Sequence, residues 1–460
     1  MARSAFDARE IDTNLGWWTG GTRDCCPARR EHVDENLFEA VRPPTEKRLE
    51  VVVVRVVHER CCGLDVHKRN VVACVLTSEG EEVRTFGTMT RELLDLLDWL
   101  QDRGVTSLAM ESTGVYWKPV YNLLEGHGIE LMVVNPGHMK AVPGRKTDVK
   151  DAQWIADLLR HGLLRASRIP ERPQRELQES IRYRRSLVEM RADEVRRLQK
   201  VLEGGNIKLG DVATDVMGKS GRDMLEALAA GVTDSNQMAE LARGKLKKKR
   251  PALRLALEGS IDQHQRSMIE RLLQHIDFLE QGIEQISTEI EARMRPFESA
   301  VAAVQAIPGI GPITAQTILA EVGTDMSHWP NHKAFASWAK ICPGNNQSGG
   351  KRRSSSVGHG NQALRGSLVE AAQSAVRVKD SYFAAFYHRV KARRGARRAL
   401  VAVAHAILVV IYHMLKDGTV YQDMGSDYFD RFDRETITKR TVRRLENLGY
   451  RVTLEEAAAA

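Results

Sequence analysis

The sequence predicts a mixed α/β domain in the first third of the chain, followed by a mostly helical remainder. Short runs rich in Val, Leu and Cys occur together with leucine-rich segments of helical period between about residues 51 and 135. Two long charged segments, at about residues 171–205 and 260–295, repeat apolar residues at three-and-four spacing. From about residue 297 onward, the patterns are mainly those of helices joined by glycine-rich turns.

The elements of the α/β region follow a defined order. One strand carries Asp65, and residues 71–77 and 82–86 form two more strands. A helix at residues 91–101, a strand at 107–111, a helix at 117–125 and a strand at 129–134 follow. Three strands, a helix, a strand, a helix and a strand is the order of the RNase H-like fold. We therefore predict an α/β RNase H-like domain over residues 51–168.

Changes of pattern divide the remaining chain. Residues 169–296 are expected to form a helical coiled-coil linker, with smaller helices between its two long arms. A mostly α-helical domain follows at residues 297–423, and residues 424–460 form a C-terminal tail. Residues 1–50 mix Gly, Arg, Asp and Pro without periodicity, so we expect a disordered extension and a translation start near Val51.

Composition bounds the class of protein. The 460 residues are 42% hydrophobic and 28% charged with a net charge of +8, which is ordinary for a globular protein and weakly favours a polyanionic partner. The six cysteines fall in two adjacent pairs and two single positions, which fit neither a zinc ribbon nor a disulfide framework, so we expect reduced thiols in a cytoplasmic protein. The most apolar run, Ala399 to Leu415, contains two histidines and is interpreted as a core helix rather than a membrane span.

Four carboxylates are candidate ligands for a metal. Asp65 is flanked by Val, Leu and Cys, and a carboxylate beside a core is usually compensated by a divalent cation, although an exposed turn also suits Asp. Glu111 ends a short buried strand. Asp148 and Asp151 share one helix face, where they would alternatively favour the helix dipole. Two Mg²⁺ ions about 3.5–4 Å apart, held by such oxygen ligands, would support phosphoryl transfer on a nucleic acid.

Three further patterns favour contact with nucleic-acid phosphates. Gly309 and Gly311 lie in a turn between two helices, the pattern of a helix-hairpin-helix, although a tight helical corner needs the same glycines. The basic run at residues 243–250, which includes Lys247 and Lys248, favours a phosphate contact, and the alternative is a solvated face. A markedly basic face beyond residue 360 includes Arg393 and Arg394, and its interleaved aromatic residues are expected to lie in the core.

The segment at residues 342–360 is rich in glycine, serine and basic residues, and it is too polar to be buried without a partner. Ser348 stands beside two glycines, where backbone can approach a phosphate, and Lys351, Arg352 and Arg353 follow it. A flexible basic linker would have a similar composition, but this segment lies between well-patterned helices. We therefore expect it to contact a phosphate.

Five motifs stand out in order along the chain: Gly63-Leu64-Asp65-Val66-His67-Lys68, Glu111-Ser112-Thr113-Gly114, Lys146-Thr147-Asp148 with Asp151, Pro308-Gly309-Ile310-Gly311 and Asn346-Gln347-Ser348-Gly349-Gly350-Lys351. Together they resemble the DEDD insertion-sequence transposases of the IS-one-ten family. The resemblance covers about residues 58–420. The first 50 residues and the tail after Asp423 lie outside it.

The resemblance implies a RuvC-like N-terminal domain in which Asp65, Glu111, Asp148 and Asp151 bind Mg²⁺, with Mn²⁺ as the alternative metal. It implies that Ser348 attacks a DNA phosphate and holds a covalent phosphoserine intermediate. Members of the family act on donor and target DNA as homo-oligomers, dimers or tetramers, with an active site shared between subunits. A structured bridge RNA that pairs with both DNAs guides them, and no membrane takes part.

Two other functions fit the same residues. A metal-only RuvC-like junction resolvase or nuclease would use water as the nucleophile, and Ser348 would only contact phosphate. A non-catalytic DNA-binding protein would use the helix-hairpin-helix and the basic helices alone. Within the serine mechanism, Ser354, Ser355 and Ser356 are rival nucleophiles.

Overall fold

The computed structural model describes residues 55–136, 151–342, 346–348, 351–354, 357–358, 360–432 and 434–455. Of residues 346–348, 351–354, 430, 432 and 434–437 it describes the backbone alone. The predicted extension at residues 1–50 and Asp148 lie outside the described residues. The chain separates into two compact units that divide between residues 171 and 172. Each unit is described by itself.

The first unit is built on a five-stranded mixed sheet with strand order β3-β2-β1-β4-β5. Strands β1 and β2 are antiparallel, as are β2 and β3, whereas β1, β4 and β5 are parallel neighbours. This sheet confirms the predicted α/β order and is consistent with an RNase H-like domain. The elements are β1 Cys61–Val66, β2 Asn70–Leu76, β3 Glu81–Gly87, α1 Thr90–Asp102, β4 Ser107–Glu111, α2 Trp117–Leu124, β5 Glu130–Val134 and α3 Asp151–Arg160.

Helices cover both faces of this sheet, as the parallel strands require. On one face, alternate residues of β1 such as Cys62 and Leu64 pack with leucines of α1 and α2. On the other face, Cys61 packs with Ile155 and Ala156 of α3. Successive strand residues point to opposite faces, so a residue's position along β1 decides which helix it meets.

Helix α3 lies in close contact with the sheet at Gly63. A Cβ atom at this position would lie 2.3 Å from the carbonyl oxygen of Ala152 and 2.4 Å from the nitrogen of Ala156. Both neighbours are backbone atoms of α3 and cannot rotate away. The absence of a side chain at Gly63 therefore lets α3 lie directly on β1.

Two long helices dominate the first part of the second unit: α4 Arg172–Gly204 and α9 Gln263–Met294. Ion pairs join Glu176 to Arg293, Arg191 to Glu280 and Glu194 to His275. As the residue numbers of the partners rise along α4, they fall along α9, so the two helices are antiparallel.

Smaller helices connect these two arms and share a core with them. Leu198 of α4 and Ile269 of α9 belong to the same buried cluster as Met224 and Leu253 of the connecting helices. The connecting elements are α5 Leu209–Val212, α6 Lys219–Ala229, α7 Ser235–Glu240, a 3₁₀ helix Gly244–Lys249 and α8 Arg250–Ala256.

The C-terminal part is helical around one central apolar helix, α15 (Ala396–Asp417). Among the described residues this is the one helix long and apolar enough to cross a membrane, and 72% of its apolar window is buried inside the protein. Tyr382, Phe383 and Phe386 are also buried. The predictions of a core helix and of core aromatics are therefore confirmed. The helices are α10 Glu298–Gln305 after a 3₁₀ turn Arg295–Phe297, α11 Pro312–Val322, α12 His332–Ala339, α13 Gln362–Ala375, α14 Tyr382–Arg394, α15 Ala396–Asp417, α16 Tyr428–Phe432 and α17 Arg434–Asn447.

The segment between α12 and α13 contains two short strands that the sequence analysis did not predict. Strands β6 Asn346–Ser348 and β7 Lys351–Ser354 pair antiparallel, with Ser348 opposite Lys351. A β-bulge lies between Asn346 and Gln347. Two residues, both glycine, separate the strands, and Gly-Gly is one of the sequences favoured in two-residue hairpin connections.

Gly63→Ala should destabilise the first unit, because the added methyl group meets the backbone of α3. We expect the free energy of unfolding to fall by about 1–3 kcal/mol, as for other overpacked sites. The control is Gly282→Ala in α9, where a Cβ would lie at an ordinary 3.6 Å from Leu187. There the loss of a flexible glycine should stabilise by about 0.5–1 kcal/mol. Urea unfolding measures both, and a Gly63→Ala protein as stable as wild type would contradict the close contact.

Candidate active site

Asp65 and Glu111 lie at the same edge of the sheet. Strands β1 and β4 are parallel, and their register pairs Leu64 with Met110. Asp65 and Glu111 are the next residue on each strand, so they are neighbours at the carboxyl ends of adjacent parallel strands. The register therefore makes two acids from separate strands neighbours in the sheet.

Both carboxylates are on the face of the sheet that α3 covers. Cys61 of β1 and Ala109 of β4 belong to the cluster packed under α3. Asp65 follows Cys61 by four residues and Glu111 follows Ala109 by two, and even spacing along a strand keeps side chains on one face. The Asp65 side chain is 21% exposed, so it lies at the rim of the core rather than in open solvent.

Helix α3 begins at this same edge. The Cys61 thiol lies 3.7 Å from the carbonyl oxygen of Ala156, whereas Gly63, further along β1, also meets Ala152. Moving along β1 toward Asp65 therefore means moving along α3 toward its first residue, Asp151. Three of the four predicted acids, Asp65, Glu111 and Asp151, therefore lie toward the same edge of the sheet, in a region that we call the carboxylate corner.

His67 also reaches the carboxylate corner, and the sequence analysis missed it. Its Nε2 atom lies 3.1 Å from Oδ2 of Asp65. The signal was its place two residues after Asp65, just beyond the end of β1. His67 is about half exposed, and its contact with Oδ2 can orient the Asp65 carboxylate.

The donor chemistry of the corner fits a hard divalent cation. Carboxylate oxygens are the ligands that Mg²⁺ and Mn²⁺ take in proteins. Burial raises the pKa of the nearby Cys61 thiol to about 11 and that of Cys74 to about 12, so neither is a thiolate ligand at neutral pH. Within the described residues, no three His, Cys, Asp or Glu side chains lie close enough to hold an ion. The fourth predicted ligand, Asp148, lies outside those residues.

The two glycines of the predicted helix-hairpin-helix have different surroundings. Gly309 has a φ of +86°, and a Cβ there would lie 2.5 Å from backbone atoms of Ala371 and Ala375 in α13. Packing therefore explains why this position is glycine. Gly311 is the N-cap residue of α11, and a Cβ atom at this position would have no neighbouring atom within 4 Å. Of the two, Gly311 is the one with room for a phosphate.

Among the basic residues predicted to contact phosphates, those whose side chains the structure describes lie at the surface. Lys247 and Lys248 are exposed on the 3₁₀ helix, whereas Arg243 and Arg250 of the same run pair with Asp223 and Glu240. Arg393 and Arg394 are exposed in the last turn of α14. The backbone places Lys351, Arg352 and Arg353 on β7, directly opposite the strand that ends in Ser348.

Known protein families match both units of the chain. A DEDD transposase family model matches residues 62–207, and the model described as "Transposase IS116/IS110/IS902 family" matches residues 301–388. Together these regions cover about half of the chain. The transposase for insertion sequence element IS1111A of Coxiella burnetii is 22% identical over 367 residues, covering 78% of this chain and 90% of that protein. The DEDD match includes Asp65, Glu111 and Asp151, and indicates that the site uses a divalent metal.

Glu111→Gln should weaken metal binding, because the amide removes one negative charge from the carboxylate corner. We expect the Kd for Mn²⁺ to rise at least about tenfold. The matched control is Glu130→Gln. Glu130 begins β5, at the opposite end of the β4–β5 pair from Glu111, and accepts a hydrogen bond from Ser107 at 3.3 Å. Isothermal titration of each protein with Mn²⁺ gives both constants. Equal affinity in the Glu111→Gln and wild-type proteins would remove Glu111 from the ligand set.

Proposed function

Because the chain belongs to the IS116/IS110/IS902 family of transposases, enzymes that cut and rejoin DNA, we propose that it does so by attack of Ser348 on a phosphodiester, assisted by Mg²⁺ and guided by a structured RNA. The family assignment removes the non-catalytic alternative. The observation that carries the proposal is the carboxylate corner, because three acids from separate elements share one edge of the sheet.

Asp65, Glu111 and Asp151, with Asp148, are the residues that would hold Mg²⁺. When bound there, the metal would neutralise the negative charge that develops on the attacking and leaving oxygens. The place of Asp65 at the rim of the core supports this role, since a partly buried carboxylate keeps its ligand oxygens oriented. His67 would hold Asp65 in one orientation through the contact between Nε2 and Oδ2.

In the proposed reaction, the Ser348 hydroxyl attacks the phosphorus of a DNA phosphodiester. A bond forms between Oγ and phosphorus, the bond from phosphorus to the leaving sugar oxygen breaks, and that oxygen gains a proton. A base accepts the serine proton, because a neutral hydroxyl is a weak nucleophile at neutral pH. Attack of a sugar hydroxyl from the second DNA end on the phosphoserine then restores Ser348 and rejoins the strand. His359, a candidate base, lies outside the described residues.

The position of Ser348 on the hairpin supports its assignment as the nucleophile. It ends β6 directly before the two glycines, and Lys351 stands opposite it on β7. Arg352 and Arg353 follow on the same strand, and arginine binds phosphate through two parallel hydrogen bonds. Basic residues at these positions of the hairpin would partly neutralise the charge of the phosphate that Ser348 attacks.

The other predicted contacts have supporting roles in this proposal. Gly311 would receive a phosphate at the helix-hairpin-helix, and the four exposed cations Lys247, Lys248, Arg393 and Arg394 would contact DNA or RNA backbone. The antiparallel α4 and α9 would act as a coiled coil within a homo-oligomer, a dimer or tetramer that holds donor and target DNA. The enzyme would work with its bridge RNA in the cytoplasm.

Ser348→Ala should abolish a covalent protein–DNA adduct, because the attacking oxygen is removed while the metal ligands remain. Denaturing gels with labelled donor DNA measure the adduct and the cleaved product separately. Ser354→Ala, at the end of β7, is the control and should keep both. Asp65→Asn should lose cleavage and retain DNA binding.

Two outcomes would contradict parts of this proposal. Wild-type cleavage by Ser348→Ala would mean that water attacks, which is the chemistry of a metal-only nuclease. Loss of the adduct in Ser354→Ala alone would move the nucleophile to that residue.

A further inference from the structure

A fully buried carboxylate, Glu321 of α11, joins three elements of the second unit. Its side chain is 0% exposed. Nε and Nη2 of Arg182 donate to its two oxygens at 2.8 and 2.7 Å, and Nδ2 of Asn361 donates to Oε2. A buried carboxylate is strongly destabilising when it loses its partners, so these three side chains act as one unit.

Arg182 links this carboxylate to the long helix α4. Other α4 side chains also bind α11: Gln174 and Gln178 donate to the carbonyl oxygen of Ala320 at 2.9 and 3.1 Å. The bidentate geometry of Arg182 fixes direction as well as distance. The position of α11 is therefore tied to α4 by several polar contacts along one side of the helix.

Asn361 links the same carboxylate to the start of α13. Its Oδ1 accepts a hydrogen bond from the backbone nitrogen of Leu364 at 3.1 Å and so caps the helix. Each half of the amide has a separate task, since the oxygen caps α13 and the nitrogen binds Glu321. Asn361 is also the first residue after the segment that contains the β6–β7 hairpin.

The two ends of that segment meet beside Asn361. A Cβ at Gly360 would lie 2.7 Å from the Cβ of Lys340, the residue that ends α12. Nη1 of Arg365 in α13 donates to the carbonyl oxygen of Gly358 at 3.2 Å. We call residues 340, 358, 360 and 361 the neck. Both ends of the hairpin segment therefore lie at the neck.

We propose that Arg182, Glu321 and Asn361 are positioning residues for the nucleophile: they hold the neck against α4 and thereby place the hairpin that carries Ser348. This inference rests on the proposed role of Ser348. A displacement of the neck moves both ends of the hairpin segment, and in-line attack on phosphorus tolerates little displacement. Misplacement by about 1 Å costs on the order of 100-fold in rate for reactions that depend on orientation.

Two variants break the contact without removing the helix cap. Glu321→Gln keeps the shape of the side chain and loses its charge. Asn361→Ser keeps a good capping oxygen for Leu364 and loses the donor to Glu321. The matched control is Arg185→Gln, because Arg185 also joins α4 to α13, through an exposed pair with Glu370 at 3.2 Å.

The measurement is the single-turnover rate of adduct formation at saturating DNA and Mg²⁺, together with the Kd for DNA and the melting temperature of each protein. Glu321→Gln and Asn361→Ser should each lower the rate at least about tenfold. Their Kd for DNA should stay within about twofold of wild type, because neither residue is placed to contact DNA. Arg185→Gln should match wild type in rate, since exposed ion pairs contribute little.

If Glu321 and Asn361 only stabilised the fold, the two substitutions would lower the melting temperature and leave the rate of adduct formation by the folded enzyme unchanged. Wild-type rates in Asn361→Ser, measured below its melting temperature, would therefore overturn the inference even if Glu321→Gln fails to fold. The proposed function fails in a different way. A wild-type enzyme that cleaves without forming an adduct would remove the role of Ser348, and with it any need to position the hairpin.

Discussion

The close contact of α3 with β1 at Gly63 is the constraint on which the candidate site depends. Backbone atoms of Ala152 and Ala156 occupy the place where a side chain would stand. Together with the contact of Cys61 with Ala156, this close contact shows that α3 runs along β1 so that its first residue, Asp151, lies toward the edge where Asp65 and Glu111 are neighbours. A larger residue at position 63 would lift the helix and carry Asp151 away from the other two acids.

The second unit shows the same dependence on buried polar and backbone contacts. Gly309 allows the turn before α11 to lie on the backbone of α13. Glu321, at the other end of α11, is bound by Arg182 and Asn361. Apolar burial alone would let these helices slide past one another, because hydrophobic contact has little directionality. The directional contacts set the register between α4, α11 and α13.

Local patterns predicted most elements to within a few residues. The short apolar runs of β4 and β5 and the leucine spacing of α1 depend only on neighbours in the sequence, so they could be recognised without a structure. The place of Asp65 on the first strand and of Glu111 at the end of another followed from the same patterns. The short strands β6 and β7 were missed, because they consist of Asn, Gln, Ser, Lys and Arg, which are not among the residues enriched in strands.

Contacts between distant parts of the chain could not be predicted. Nothing in the local sequence indicates that Glu321 is fully buried, since its partners Arg182 and Asn361 are 139 and 40 residues away. Gly309 packs against Ala371 and Ala375, which are also far from it in the sequence. The turn before α11 was interpreted as a phosphate site or a tight corner, and the packing of Gly309 against α13 supports the corner at that one position, whereas Gly311 keeps room for a ligand.

The central claim is that carboxylates from β1, β4 and the start of α3 hold one metal centre. Crystals soaked in Mn²⁺ and measured near the manganese absorption edge test it most directly, because the anomalous signal locates the ion without assumptions about its ligands. The account predicts a peak within coordination distance, about 2.0–2.3 Å, of carboxylate oxygens of Asp65, Glu111 and Asp151. A peak elsewhere in the protein, with none among these three side chains, would contradict it.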